Sequence, residues 1–197
     1  MKAEPLVARP VEYREVRYLR LMDPWPFFWL NVFALIPLVA GGMIAFGWLV
    51  GYHGVGAPLV IGPLPDSLPS WLGWLAALAV LPLHEWLHGL AIRRAGHKPR
   101  YGIKWFVLYA TADGAYFRRN EYLRVALAPL AIITAGGLGI MLFVPYGIGQ
   151  WVAFGVMLNV AGSIGDLWMT AVALRFDPSA LIQDEADSMR IFARDRR

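Results

Sequence analysis

The chain of 197 residues contains no cysteine. Disulfides are thereby excluded, and so are thiolate metal sites. Charge is scarce too: Asp, Glu, Lys and Arg make up 16% of the residues, where a soluble globular domain carries about a quarter. The shortage is concentrated in four stretches, 27–50, 71–92, 125–144 and 151–174, which lack these four residue types entirely or nearly so. Each reaches the roughly 20 residues that cross a bilayer core as a helix. Lone strands cannot satisfy their backbone in hydrocarbon. The expected fold class is an all-α integral membrane protein with four transmembrane helices.

Two connections lack basic residues altogether, 51–70 and 145–150. All 18 Lys and Arg lie before the first span, between the second and third, or after the fourth. Cytoplasmic loops collect Lys and Arg, so both termini and the middle loop are expected in the cytoplasm, with the protein in the plasma (inner) membrane. The basic balance is then a topology signal. No nucleic-acid partner is expected, and the lipid bilayer is. Residues 1–26 have no short apolar core with a cleavage site, so the first span is expected to act as an uncleaved insertion signal.

No repeat, low-complexity tract or long linker parts the chain, and residues 1–197 read as a single membrane-embedded domain. The Gly- and Pro-rich connection 51–70 reads as irregular. In the middle loop a β-rich run, 103–109, precedes Asp113-Gly114 and Ala115-Tyr116-Phe117, which predicts a small cytoplasmic β-hairpin. Trp105 and Tyr109 suit anchoring among headgroups; alternatively the strand holds an unwound substrate segment as an added strand. Asp177-Pro178 predicts the start of a short C-terminal cytoplasmic helix reaching Phe192. Gly47 with Gly51, Ala135 with Gly139, and Gly162 with Gly165 predict close helix packing. Pro37, Pro82 and Pro129 predict kinks.

Within the spans the only charged residues are Glu85 and Asp166, and the only histidines are His84 and His88. A carboxylate at mid-membrane costs on the order of 3 kcal/mol or more, so these groups need partners. His84 and His88 stand one helical turn apart on one face, where both rings can address one metal ion. Glu85 follows the first of them. This is the HExxH pattern of zinc metalloproteases, in which the glutamate takes a proton from zinc-bound water. A catalytic zinc needs a third protein ligand, and Asp166 is the remaining candidate in the spans. His84 precedes Arg93 by the same interval as Asp166 precedes Arg175, which puts both about 13 Å below the cytoplasmic anchors of parallel helices. The competing reading is a buried His/Glu/Asp hydrogen-bond network that joins two helices. Two-iron chemistry is disfavoured because it needs many histidines and the chain has four. The other two, His53 and His97, read as solvated bystanders.

HEWLH in the second span, a hairpin-like loop and NVAGSIGD in the fourth resemble the intramembrane zinc metalloproteases of the site-2 protease type. The whole layout, over about 25–192 and including ALIQDEAD, resembles the DUF3267 zincin peptidase family more closely. The resemblance implies that His84, His88 and Asp166 bind Zn2+ and that Glu85 is the general base. The last site-2 protease motif has an Asn, a run with proline, then Leu-Asp-Gly. Here Asn159 and Asp166 remain, but the proline and the final glycine are absent. Asn159 is a candidate for substrate positioning, with helix packing as the alternative.

The function expected is that of an intramembrane zinc endopeptidase cleaving a membrane-protein or peptide substrate. A non-catalytic metal-binding subunit with a regulatory or structural role is the alternative, and a small transporter is a third reading. The intact glutamate favours the first over the second. Transporters commonly show paired repeats and a midplane site, which this sequence does not.

Overall fold

The computed structural model describes residues 8–53, 69, 71–104, 107–185 and 188–195. In chain order these form β1 (Tyr13–Arg20), α1 (Pro24–His53), α2 (Trp71–Leu78), α3 (Val80–Arg94), β2 (Arg100–Lys104), β3 (Val107–Thr111) and β4 (Phe117–Arg118). There follow α4 (Arg119–Ile140), α5 (Tyr146–Gly162), α6 (Ile164–Ala173), β5 (Leu181–Glu185) and β6 (Ser188–Arg194).

The apolar stretches are helical as expected. Three helical segments, Pro24–His53, Trp71–Arg94 and Arg119–Ile140, are long and apolar enough to cross a membrane. A fourth arises if α5 and α6, bent by 42° at their junction, count as one span. Asp23 and Pro24 open α1, with proline at a position where a missing N–H costs nothing. Along α1 the side chains of Leu35, Ile36, Val39, Met43 and Ile44 are exposed. An apolar surface that the protein leaves uncovered is what lipid would cover.

Both helix breaks have local causes. Pro82 has no N–H for the carbonyl of Leu78, where α2 ends. Helical hydrogen bonds resume at once, Ala79 N–H to Leu75 O and Leu83 N–H to Ala79 O. Between α5 and α6, the Ser163 hydroxyl donates to the Asn159 carbonyl at 2.8 Å. Such back-bonding to the carbonyl four residues earlier bends helices. At its other end α3 closes in a Schellman motif on Gly96 (φ 92°), with His97 N–H to Ile92 O and Gly96 N–H to Arg93 O. Helix α4 begins with Glu121 accepting from the Arg118 N–H at 3.0 Å, half of a capping box.

The expectation of an all-α protein with one hairpin is corrected: the described residues form two sheets. One is four-stranded in the order β1-β6-β5-β4, and the other pairs β2 with β3. The predicted C-terminal helix is absent. Asp177 instead makes a local turn, its carboxylate accepting from the Ser179 N–H at 2.9 Å, and the chain continues as β5 and β6. Leu181, Ile182, Met189, Ile191 and Phe192 are all buried there, a spacing that sheet pairing accommodates and one amphipathic helix does not. The N-terminal strand β1 pairs with β6, from Tyr13 opposite Arg194 to Arg20 opposite Ser188. The hairpin differs as well. It pairs Arg100 with Thr111 through Lys104 with Val107, so the run 103–109 contains the reversal. Asp113-Gly114 is a turn, with Gly114 at φ 69°, yet it leads to β4, whose partner is β5. The anchoring role suggested for Trp105, and the character of most of the connection 51–70, lie outside the described residues.

The chain gathers into two compact units. The first, Met1–Leu30, Glu85–Ala128 and Gly165–Arg197, carries both sheets and contains every Lys and Arg. Its core joins Ile92, Phe117, Tyr122, Met169, Ile182, Met189 and Ile191. The second unit, Asn31–His84 and Pro129–Ile164, holds Ala45, Phe46, Leu49, Met141, Ala153 and Val156 in one cluster and Ala77 with Trp151 in another.

Small residues let helices approach, but, among the described residues, not at four of the six positions expected. A Cβ at Gly47, Gly51, Gly139 or Gly162 would meet open space. At Gly73 it would run into the Trp151 indole. Gly73→Ala is therefore expected to destabilise the protein by about 1–3 kcal/mol through overpacking, while Gly47→Ala leaves stability unchanged or slightly raised. Thermal unfolding in detergent, followed by tryptophan fluorescence, checks the contrast; equal melting temperatures for the two variants would contradict it.

Candidate metal centre

Helix α3 carries His84, Glu85 and His88. Each offers one ligand atom, and these atoms all lie within 4.8 Å of one another. The helical repeat explains the cluster, since residues four apart share a face and the intervening glutamate is adjacent to the first. Both histidines are 8% exposed, and Glu85 is partly exposed.

Each imidazole is oriented by its Nδ1. That of His88 lies 3.0 Å from the Val125 carbonyl. A carbonyl only accepts, so Nδ1 carries the proton and the lone pair of the neutral ring is on Nε2. That of His84 lies 2.9 Å from Asn159 Oδ1. The Asn159 amide nitrogen is turned to the Thr134 hydroxyl at 3.4 Å, which leaves Oδ1 as the acceptor and fixes the same tautomer. Asn159 is 1% exposed, so this bond has little competition from solvent. A hydrogen bond on one ring nitrogen that frees the other for metal is the usual outer support of a metal-bound histidine.

Asp166 lies in the first turn of α6, where the helix dipole favours an anion. Its carboxylate is 3.4 Å from His88 Nε2. Two ligands at 2.0–2.1 Å in a tetrahedron stand about 3.3 Å apart. The donor set of two neutral imidazoles and a carboxylate, without sulfur, therefore fits zinc in kind, and the His88–Asp166 spacing fits it in distance.

Within each unit the structure pairs residues singled out in the sequence. His84 shares a hydrogen bond with Asn159, and His88 a contact with Asp166. Asn159 contacts a histidine ring, not only helix backbones. The break at Ser163 falls between Asn159 and Asp166 and removes the ideal seven-residue face relation between them. His53 and His97 stay outside the cluster, yet both are packed. His53 Nε2 is 3.3 Å from the Met141 carbonyl. His97 stands edge-on to Phe117 with centroids 4.6 Å apart. Burial holds its imidazole below the usual histidine range, with Glu121 opposing. Two partners escaped the sequence: Val125 acts through its carbonyl, which no side chain announces, and Thr134 is one hydroxyl in a long apolar run.

The DUF3267 family model, described as "Putative zincin peptidase", matches residues 77–181. That stretch runs from the last turn of α2 to the first residue of β5 and contains His84, Glu85, His88, Asn159 and Asp166. Neither the curated proteins nor the solved structures give a match.

If Asn159 orients His84, removing its acceptor weakens the metal site while the helices remain. Asn159→Leu is expected to lower zinc affinity by about 10- to 100-fold. Competition against a fluorescent chelator measures this, with circular dichroism as the control for helix content. Unchanged affinity in a helical protein would assign Asn159 to packing.

Proposed function

The chain belongs to the DUF3267 family, and from that premise we propose that it is a zinc-dependent endopeptidase of the membrane. His84, His88 and Asp166 would hold the metal, and Glu85 would act as general base. The observation that carries this reading is the pair of fixed tautomers. Asn159 and Val125 each accept a hydrogen bond from Nδ1–H, so both rings turn Nε2 to one helical face. The two bonds also tie α3 to α4 and α5, and a metal site is the reading that gives both Nε2 atoms a common use.

Zinc, when bound, supplies Lewis-acid polarisation of a scissile carbonyl and acidifies a water. Glu85 takes the proton of the attacking water and returns it to the leaving amine. Its partial exposure gives water a route to the carboxylate. With Glu85 and Asp166 both ionised, a divalent cation leaves the group formally neutral, which lowers the cost of burying it.

The proposed orientation places both termini and the two sheets in the cytoplasm. Every Lys and Arg falls within the unit that carries the sheets, and basic segments favour the cytoplasmic side. Cleavage would then occur in or near the cytoplasmic leaflet, on a membrane or membrane-proximal segment. A helix shields its carbonyls, so a substrate must unwind first. The two-stranded β2-β3 sheet, whose other strand edges are unpaired among the described residues, offers a place for an extended segment.

Purified wild type is expected to take up about one equivalent of zinc and to cleave fluorescein-labelled casein in detergent. Glu85→Gln should keep the zinc and lose cleavage by about 10²- to 10⁴-fold. Asp166→Ala should lose the zinc. Metal analysis and fluorescence release give both readouts. A wild type that refuses zinc after metal-free preparation and reloading would defeat the proposal, and so would a Glu85→Gln protein with full activity.

A further inference from the structure

Beyond the stretch matched by the family model lies Asp184, in β5. In β5 the side chains alternate between faces, so Asp184 shares the face of Ile182. That face is the inner one. Ile182 is fully buried in a cluster with Ile92 of α3, Tyr122 of α4 and Met169 of α6. The register agrees, since Asp184 stands opposite Met189, and Met189 belongs to the same core. Sequence alternation and strand pairing thus turn a carboxylate toward the helices that carry His88 and Asp166.

The strand is held in place there. Thr111, at the end of β3 and 2% exposed, donates its hydroxyl to the Asp184 carbonyl oxygen at 2.7 Å. The residue as a whole is only partly covered, yet its carboxyl is enclosed. That enclosure pushes the carboxyl up to about 7; His88 pulls it down, while Asp166, Glu85 and Glu185 add to the rise. Three of these four neighbours are the groups of the metal centre in this unit. A carboxylate enclosed with two others is costly unless a cation balances them.

We propose that Asp184 is a positioning carboxylate of the metal centre, delivered by β5, which strengthens cation binding by adding negative charge around the His88–Asp166 pair. It does not replace Asp166 as a ligand. It acts through the pair, and it makes the C-terminal strands part of the metal-binding apparatus. This inference rests on the zinc reading above, with zinc itself as the probe.

Zinc dissociation constants would be measured by chelator competition at pH 8 for wild type, Asp184→Asn, Asp184→Glu, Thr111→Val and Asp166→Asn. Asp184→Asn keeps the shape and removes the charge, so affinity should fall about tenfold or more, without a drop in the melting temperature of the metal-free protein. Asp184→Glu should recover most of the loss. Thr111→Val, which leaves the carboxylate but removes the hydroxyl that holds the Asp184 backbone, should weaken zinc in the same direction and decides the question if Asp184→Asn does not fold. Affinities of Asp184→Asn and Thr111→Val within twofold of wild type would overturn the inference. If Asp166→Asn loses zinc while those two do not, the metal centre stands and the role of Asp184 falls. If wild type binds no zinc, both fall together.

Discussion

An imidazole ring has two nitrogens, and fixing the proton on one decides what the other can do. In the centre of this protein both rings are fixed through Nδ1, one by a backbone carbonyl and one by a buried amide. Everything else in the site follows from having two such rings one turn apart. The helix that carries them must stay regular across that turn. The acceptors must come from other helices and must be dry enough to hold their bonds. A carboxylate must then stand beside the Nε2 of His88. Asp166, 3.4 Å from His88 Nε2, meets that last condition on its side of the site.

The apolar surroundings make the condition strict. Buried polar groups without partners cost several kcal/mol where water is excluded, so each polar group near the site must be answered by another. Asn159 is the clearest case. It accepts from His84, donates toward Thr134, and its own backbone carbonyl receives the Ser163 hydroxyl. One residue thus ties the ring orientation to the place where the fourth apolar stretch bends.

The spans and the HEWLH group were legible because both are local signals. A run of some 20 apolar residues and a four-residue spacing are complete within one segment of chain. The strands were not legible for the opposite reason. β1 and β6 pair Tyr13 with Arg194, and neither strand has the clean apolar–polar alternation that would declare it alone. β5 and β6 each place two adjacent buried residues, Leu181-Ile182 and Ile191-Phe192, which blurs the period of two. Asp177-Pro178 looked like a helix start because an Asx turn and an N-cap use the same first hydrogen bonds. Asp184 was hidden in plain composition: in a run with Glu185 and Asp187, nothing local distinguishes an inward carboxylate from solvated ones. Only its register with Met189 does.

The two helix breaks show how such a site is reconciled with a membrane. A continuous apolar helix has no backbone group to spare and presents its side chains at fixed angles. Pro82 interrupts the helical ladder just before His84, and Ser163 interrupts the other just before Asp166, so His84 and Asp166 each follow closely on a break. At Ser163, fully buried, the hydroxyl and the backbone N–H both return to the Asn159 carbonyl. Those two donors are thus answered within the protein and not left to lipid. Broken helices at membrane depth are tolerated where protein or a wet cavity satisfies them. Here the break also restarts a helix one residue later, with Asp166 in its first turn, where the exposed amide dipoles steady a carboxylate. A straight helix would have carried Asp166 in its interior without that support. The bend therefore matters to the proposed chemistry: it converts a mid-helix aspartate, costly in an apolar setting, into one at a helix start beside His88.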